Sequence, residues 1–427
     1  MNVQEYLSNY YKGTKNTTLE GIEYILEKLS HPERKLKIIH IAGTNGKGSC
    51  AEMMTNILIQ AGYKVGKFIG PHLIRYSERI SINNEDITDC EIERLINVIN
   101  PKIKDYNQKH ETNITLFELE TAMALLYFYE NDCDFVILET GLGGLNDSTN
   151  VVMPMISIIT SIGYDHMHIL GNTLPEIAKQ KAGIIKNNSE TVFIKDKKEI
   201  NDVIIKKCEE KDNLLHMIVK EEIHNYSYDN EFQKFDYKEY KNILINLKGE
   251  KQVYNATICL ECVDILKDKS YKITENAIRE GLKTVVHKGR FEKINDSPTI
   301  IYDGGHNAPA IDNFKNSVQM YYKNSKKIYI ISILKTKDYD MVLRKMLEDK
   351  TSTFIFTSGN NLDRYVLKEE LLAVAKKYSN SPNLYAMELE DAIDLVRNNY
   401  KDSVVFIVGS FYIYGDVIVK LENGGRK

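Results

Sequence analysis

The chain has 427 residues, 43% hydrophobic and 27% charged, with a net charge of −4 at neutral pH. That length exceeds one ordinary core, so two domains are expected. Lys and Arg are spread along the chain, which excludes a nucleic-acid surface and leaves small-molecule partners as the expectation.

No apolar run approaches the roughly 20 residues of a membrane helix, so no membrane association is expected. The leading segment lacks the basic, apolar and small-residue layout of a secretory signal. The six cysteines are scattered. The one close pair, Cys259 and Cys262, lies in a helix-like stretch with no second pair downstream, so reduced thiols in a cytoplasmic protein are expected rather than zinc.

Leu36–Ala42 is a near-continuous apolar run, followed by a glycine-rich turn and by a segment, Ser49–Leu58, whose apolar residues recur at helical spacing. Asp134–Glu139 and Met155–Thr160 are further buried-strand candidates, each leading into a turn. Such runs separated by helices predict a mostly parallel sheet covered on both faces. From about Lys195 to Lys251 the chain turns polar, Tyr-rich and irregular, with Tyr240–Leu247 as one strand of a peripheral hairpin. A second series begins near Phe291, with strands at Ile300–Asp303, Lys327–Ser332, Thr353–Phe356 and Val404–Val408. The expected fold is therefore α/β in two domains. Residues 1–288 form a P-loop-type, mostly parallel sheet with flanking helices, and 289–427 a smaller, Rossmann-like α/β domain.

The strongest local signal is Gly43-Thr-Asn-Gly-Lys-Gly-Ser49, between a predicted strand and a predicted helix. Glycines let backbone N–H groups turn toward an anion, and a helix N-terminus adds favourable potential. Lys47 supplies a point charge for the β and γ phosphates of a nucleotide, and Ser49 a hydroxyl for phosphate or its magnesium. Thr44, Asn45, Gly46 and Gly48 complete the ATP loop, although Ile41 and Gly48 depart from the common G-x-x-x-x-G-K-[ST] pattern.

This loop resembles that of the Mur-ligase superfamily, and its surroundings resemble folylpolyglutamate synthase/dihydrofolate synthase in particular. The landmarks fall in the family's order from about Leu19 to Val417. They are Gly70–Ile80, Leu116–Glu118 with Thr121, Glu139–Gly144 running on to Asp147–Val152, Thr160–His166, Lys181–Lys186, Asn255-Ala256, Gly289-Arg290, Asp303–Asn307, Lys337-Asp338 and Gly409–Tyr412. The resemblance implies an ATP-dependent ligase that activates a folate or dihydropteroate carboxylate as an acyl phosphate, which the amine of L-glutamate attacks. A monomer with its site in an interdomain cleft is expected.

Glu139 closes an apolar strand, where an unpaired carboxylate is costly. The residues alone allow a magnesium ligand, a helix cap or an ion pair with a lysine, and the resemblance favours the metal. The resemblance also implies a second magnesium contact at His166, with Ser49 completing the metal residues, and two Mg2+ ions in all. It matches Lys181 to a lysine that the family carries as a carbamate, an ordinary salt-bridged lysine being the other reading. Lys47, Lys181, Asp303 and His306 are the expected catalytic residues. Asn255, Arg290 and Asp303 join the ATP site, Arg290 because a guanidinium offers a fixed donor fork to phosphates. On the folate side the resemblance implies Arg79, Phe117 and Asp147, and near the incoming glutamate Ser410.

Five positions depart from the family pattern: Gly70 for a metal-binding serine, Leu145-Asn146 for an Arg-containing pair, Gln180 for glutamate, and Ala308 for proline. Two other functions compete. A cell-wall Mur ligase would want a uridine-nucleotide domain ahead of the first strand, which already begins at Leu36. A non-catalytic ATP-binding relative would have no physical need for Lys47, Glu139, His166, Lys181, Asp303 and His306 together.

Overall fold

The computed structural model describes residues 6–7 and 18–423. Its first sheet has eight strands: β1 Ile38–Ala42, β2 Val65–Phe68, β3 Ile80–Ile82, β4 Glu85–Asp86, β5 Phe135–Glu139, β6 Ile156–Ile159, β7 Glu190–Ile194 and β8 Leu214–Ile218. They lie in the order β4-β3-β2-β5-β1-β6-β7-β8, parallel except at the β2–β3 and β3–β4 pairs. The mostly parallel sheet read from the sequence is what forms.

Successive residues of a strand point to opposite faces, and both faces here are covered. Ile39 and Ile41 of β1 join Phe135 and Ile137 of β5 in a core closed by the helices at Lys47–Gln60 and Glu250–Asp268. On the other face Ile38 and Leu138 pack against the helices at Asp89–Lys109 and Leu116–Glu130. His40 points to that second face, fully buried, and its Nε2 lies 2.8 Å from Thr149 Oγ1. Burial, with Lys186 nearby, takes its pKa down to about 3, so the ring is neutral.

The stretch expected to be irregular is ordered. A helix at Lys198–Glu210 buries Ile200, Ile204 and Cys208, one residue per turn. Beyond β8 come three antiparallel strands, β9 Ile223–Tyr228, β10 Gln233–Tyr237 and β11 Tyr240–Ile245, in the order β11-β10-β9. The polar composition misled because β9 faces solvent along most of its length. An edge strand of that kind carries no apolar alternation to read.

The second large sheet comprises β12 Glu292–Asp296, β13 Thr299–Asp303, β14 Lys327–Ile331, β15 Thr353–Phe356, β16 Leu384–Ala386 and β17 Val404–Val408. Its order is β12-β13-β17-β14-β15-β16, with only β12 antiparallel. The α/β two-domain expectation holds. Among the described residues no helix is long and apolar enough to cross a membrane.

Strand register sets the position of the site. Ile41 of β1 pairs with Glu139 and Ala42 with Ile159, so the turns after β1, β5 and β6 emerge side by side. In the second sheet Asp303 pairs with Val408, which brings Gly304–Asn307 beside Gly409–Tyr412. Both sheets thus direct the carboxyl ends of their strands at a shared cleft, the usual ligand-binding edge of an open parallel sheet.

Candidate active site

The phosphate loop is fixed by its neighbour, the turn after β6. Thr44 N–H donates to Ser161 O (2.6 Å), and the Asn45 carbonyl accepts from Thr160 Oγ1 (2.8 Å) and Ser161 Oγ (2.9 Å). Gly46 adopts φ 95° and carries the chain into the helix at Lys47. That left-handed value favours glycine, and a Cβ there would stand 2.6 Å from Asn255 Oδ1. Asn255 is therefore seated against the loop. Thr44 to Gly48 remain partly exposed around the bend. Lys47 Nζ donates to Gly43 O (3.3 Å) and lies 3.7 Å from Glu139 Oε1. Lys181, nearly buried, donates its Nζ to the same Gly43 carbonyl at 2.8 Å. A cavity of about 450 Å³ opens beside the loop, lined by Asn45, Gly46, Ser49, Asn255, Arg290 and Asp303 among others.

Glu139 stands at the end of β5, 6% exposed. Burial raises its pKa, while Lys47, the Gly70 backbone and Arg290 oppose that rise. Asp303 is likewise pushed up by burial against the pull of Arg290. Its oxygens accept from Gly305 N–H (2.7 Å) and Phe291 N–H (3.0 Å). The Arg290 guanidinium lies 4.3 Å from the centre of the Phe411 ring, between these two acids. Burial takes the His306 pKa to about 3, and its Nδ1 contacts Gly304 O at 2.8 Å.

A chain of polar side chains bridges the two domains over the loop. Asn45 Nδ2 donates to Asn307 Oδ1 (3.1 Å), and Asn307 Nδ2 to Asp165 Oδ2 (2.8 Å). Lys337 Nζ donates to Asp165 Oδ1 (2.9 Å) and sits 3.1 Å from His166 Nε2. Burial opposes ionisation of Asp165, but Lys337, His166 and Asn307 outweigh it and hold the carboxyl well below its usual range. His166 is lowered to about 4 by burial, with Lys337 adding to the fall and Asp165 resisting it.

A second cavity, of about 570 Å³, lies between the domains on the far side of Glu139. Phe117, on the helix starting at Leu116, stacks with Phe68 at 5.8 Å and lines this space. Arg79 also lines it, but its guanidinium already donates to Glu120 (2.9 Å) and His72 (3.0 Å). Asp147 is fully buried, and its oxygens accept from Leu142 N–H (2.7 Å), Thr149 N–H (3.2 Å) and Thr149 Oγ1 (2.6 Å). In this structure it holds the loop that forms the cavity wall. Ser410, 1% exposed, accepts from Tyr412 N–H at 3.1 Å. Arg364 faces the same space from the second domain, stacked 4.2 Å above the Tyr412 ring.

The donors can be tested against magnesium from their chemistry. The ion takes one or two carboxylates, keeps waters and completes its shell with substrate phosphates. The Glu139 carboxylate and Ser49 hydroxyl fit: a Cβ on intervening Gly48 would stand 3.7 Å from Glu139 Oε2. His166 does not fit as it stands, because its Nε2 meets the Lys337 ammonium. Among the described residues no three His, Cys, Asp or Glu side chains converge on one point. An ion carried in by a nucleotide's phosphates suits this arrangement.

Sequence reasoning missed four side chains. Asp165 and Lys337 stood within quoted motifs, yet nothing local indicated that they pair. His287 lies in the connector before Arg290, and its Nδ1 is 3.0 Å from Ser49 Oγ. Arg364 carried no local signal at all.

Comparison with known proteins agrees with this geometry. Residues 41–263 match the Mur ligase middle domain, and residues 289–411 the Mur ligase glutamate ligase domain. The chain is 35% identical over 413 residues to dihydrofolate synthase/folylpolyglutamate synthase of Bacillus subtilis, covering 95% of each. Folylpolyglutamate synthase of Thermotoga maritima superposes with a TM-score of 0.84 at 31% identity, over 99% of this chain and 96% of that one. Escherichia coli FolC in complex with DHPP and ADP gives 0.85 at 27% identity, over 99% and 97%. With two ligase domains in sequence, cavities at the carboxyl ends of both sheets, and a relative matched nearly end to end, this chain belongs to the dihydrofolate synthase/folylpolyglutamate synthase family of Mur-type ATP-dependent ligases.

Proposed function

We propose that the protein joins the carboxylate of a folate or dihydropteroate to the amine of L-glutamate, using ATP to form an acyl phosphate. The observation that carries this reading is a pair of cavities, the first lined by Arg290 and Asp303 and the second by Glu139 and His306. One is bordered by the phosphate loop and the other by Phe117 and Ser410. A γ-phosphoryl group bound in the first would face a carboxylate bound in the second.

Lys47 and Arg290 hold the phosphates from opposite domains, with Thr44 to Ser49 supplying the loop and Asn255 the base side. Magnesium entering with ATP would be held by Glu139 and Ser49, and when bound it neutralises phosphate charge. Phe117 offers a ring face to the acceptor. Asp147 acts by fixing the loop behind it, and Arg79 by its place on the wall. Ser410, Arg364 and Lys337 line the glutamate side, where a dicarboxylate needs donors. His306 and Asp303 sit between the cavities, positioned to order the transferring group. Catalysis on this reading is mostly alignment and charge stabilisation, and domain closure protects the acyl phosphate from water.

A second ion near His166 and a carbamate on Lys181 are finer proposals: the first requires the Lys337–His166 contact to open, the second requires Lys181 Nζ to leave its ammonium bond to the Gly43 carbonyl. We read the domain division at 288/289. The chain works as a monomer, because both walls of each cavity come from it. The test is acceptor labelled with 18O in its carboxylate: acyl-phosphate chemistry delivers one label to inorganic phosphate. Product formed without label in phosphate would overturn the mechanism.

A further inference from the structure

We propose that His287 is a positioning residue that accepts a hydrogen bond from the Ser49 hydroxyl and so turns that oxygen's lone pairs toward the metal–nucleotide complex. The proposal rests on the nucleotide site just described and concerns a residue outside its phosphate loop.

Ser49 lies in the first turn of the helix at Lys47–Gln60, 3% exposed. A helical serine ordinarily donates its O–H to the carbonyl four residues back. Here that carbonyl, Asn45 O, already accepts from both Thr160 Oγ1 at 2.8 Å and Ser161 Oγ at 2.9 Å, which uses its two lone pairs. The Ser49 hydroxyl instead lies 3.0 Å from Nδ1 of His287. A neutral ring with its proton on Nε2 presents Nδ1 as an acceptor. A hydroxyl that ligates a cation must send its own proton elsewhere, and His287 provides that place.

The backbone makes room for this contact. A Cβ on Gly48 would stand 3.1 Å from His287 Nε2, closer than nearly all real neighbours. The connector between the helix ending at Lys283 and β12 therefore brings two groups to the nucleotide. Arg290 lies beside Glu139 and Asp303, and His287 against Ser49. Position of the second domain and orientation of the Ser49 oxygen are linked through seven residues of chain, 284–290.

The test is ADP binding by calorimetry with and without Mg2+, on the whole chain. Asn reproduces the Nδ1 acceptor, Gln reaches toward the Nε2 position, and Phe fills the space with no acceptor. His287→Phe is expected to lose about tenfold of the Mg2+-dependent gain in ADP affinity, the worth of about one hydrogen bond. Its metal-free affinity stays within about twofold of wild type, well below the worth of such a bond. His287→Asn retains most of the gain and His287→Gln does not. If the Phe variant fails to fold, the Asn–Gln contrast decides alone. The proposal is overturned by an unchanged gain in the Phe and Gln variants, by equal loss with and without metal, or by Asn and Gln behaving alike. Failure of the ligase reading would show separately, as wild-type protein making no glutamylated product.

Discussion

Replacing Lys337 with Met tests whether the bridge between the domains serves catalysis. Lys337 and Asp165 are 8% and 14% exposed in their side chains and 2.9 Å apart. Removing one member of a buried pair costs about 3–5 kcal/mol, chiefly through the charge left behind. Asp165 keeps its 2.8 Å bond from Asn307, so the lower end, about 3 kcal/mol, applies. The two groups lie on different domains, so the loss should fall on closure: kcat/KM drops by about two orders of magnitude, with a smaller change in melting temperature. Adding Asp165→Asn removes the orphaned charge, so the double variant should lose much less than the sum of the singles. The Lys337 ammonium lowers the His166 pKa, so Lys337→Met should raise it from about 4, as followed by NMR of the ring. A single variant within about threefold of wild type (under 1 kcal/mol), or strictly additive losses, would refute the reasoning.

Gly141→Ala should damage acceptor binding selectively. Its Cβ would stand 2.6 Å from Phe117 Cζ, and overpacking of this kind costs about 1–3 kcal/mol. Acceptor KM should therefore rise about tenfold while ADP affinity stays unchanged, and a parallel loss of ADP binding would argue against the two-cavity assignment. Arg364→Ala should raise the KM for glutamate and leave that for ATP alone, as initial rates at varied glutamate will report. His216, bonded to Glu261 and Glu190, has a raised pKa in the folded protein. Its contribution is fully present below the unfolded value of about 6.5 and is lost as pH rises through the higher folded value. The melting-temperature deficit of His216→Gln should accordingly be larger at low than at high pH, and a pH-independent deficit would contradict the pairing.

The phosphate loop and the strands leading into it were legible because their signal is contiguous: an apolar run, a glycine turn and a helix, all within Ile38–Gln60. The helix at Lys198–Glu210 was missed although Ile200, Ile204 and Cys208 repeat at one per turn, because polar neighbours diluted the pattern. Much of the site depends on contacts that sequence does not encode locally. Asn45 meets Asn307 across 262 positions, and Lys337 meets Asp165 across 172. Nothing near either residue selects its partner. Glu139 had three readings, metal ligand, helix cap or lysine partner, and the structure has Lys47 at 3.7 Å while leaving the carboxylate beside the loop. The structure shows the lysine pair, and the metal role stays a proposal in which Lys47 turns to the arriving phosphates.

The central claim is that these cavities join an acceptor carboxylate to glutamate at the expense of ATP. The most direct measurement is phosphate release with glutamate and either dihydropteroate, tetrahydrofolate or no acceptor, with mass spectrometry of the products. The account predicts release that depends on acceptor and a product heavier by one glutamyl unit, both lost in Lys47→Ala. Release that is equal with and without acceptor, and no glutamylated product, would contradict it.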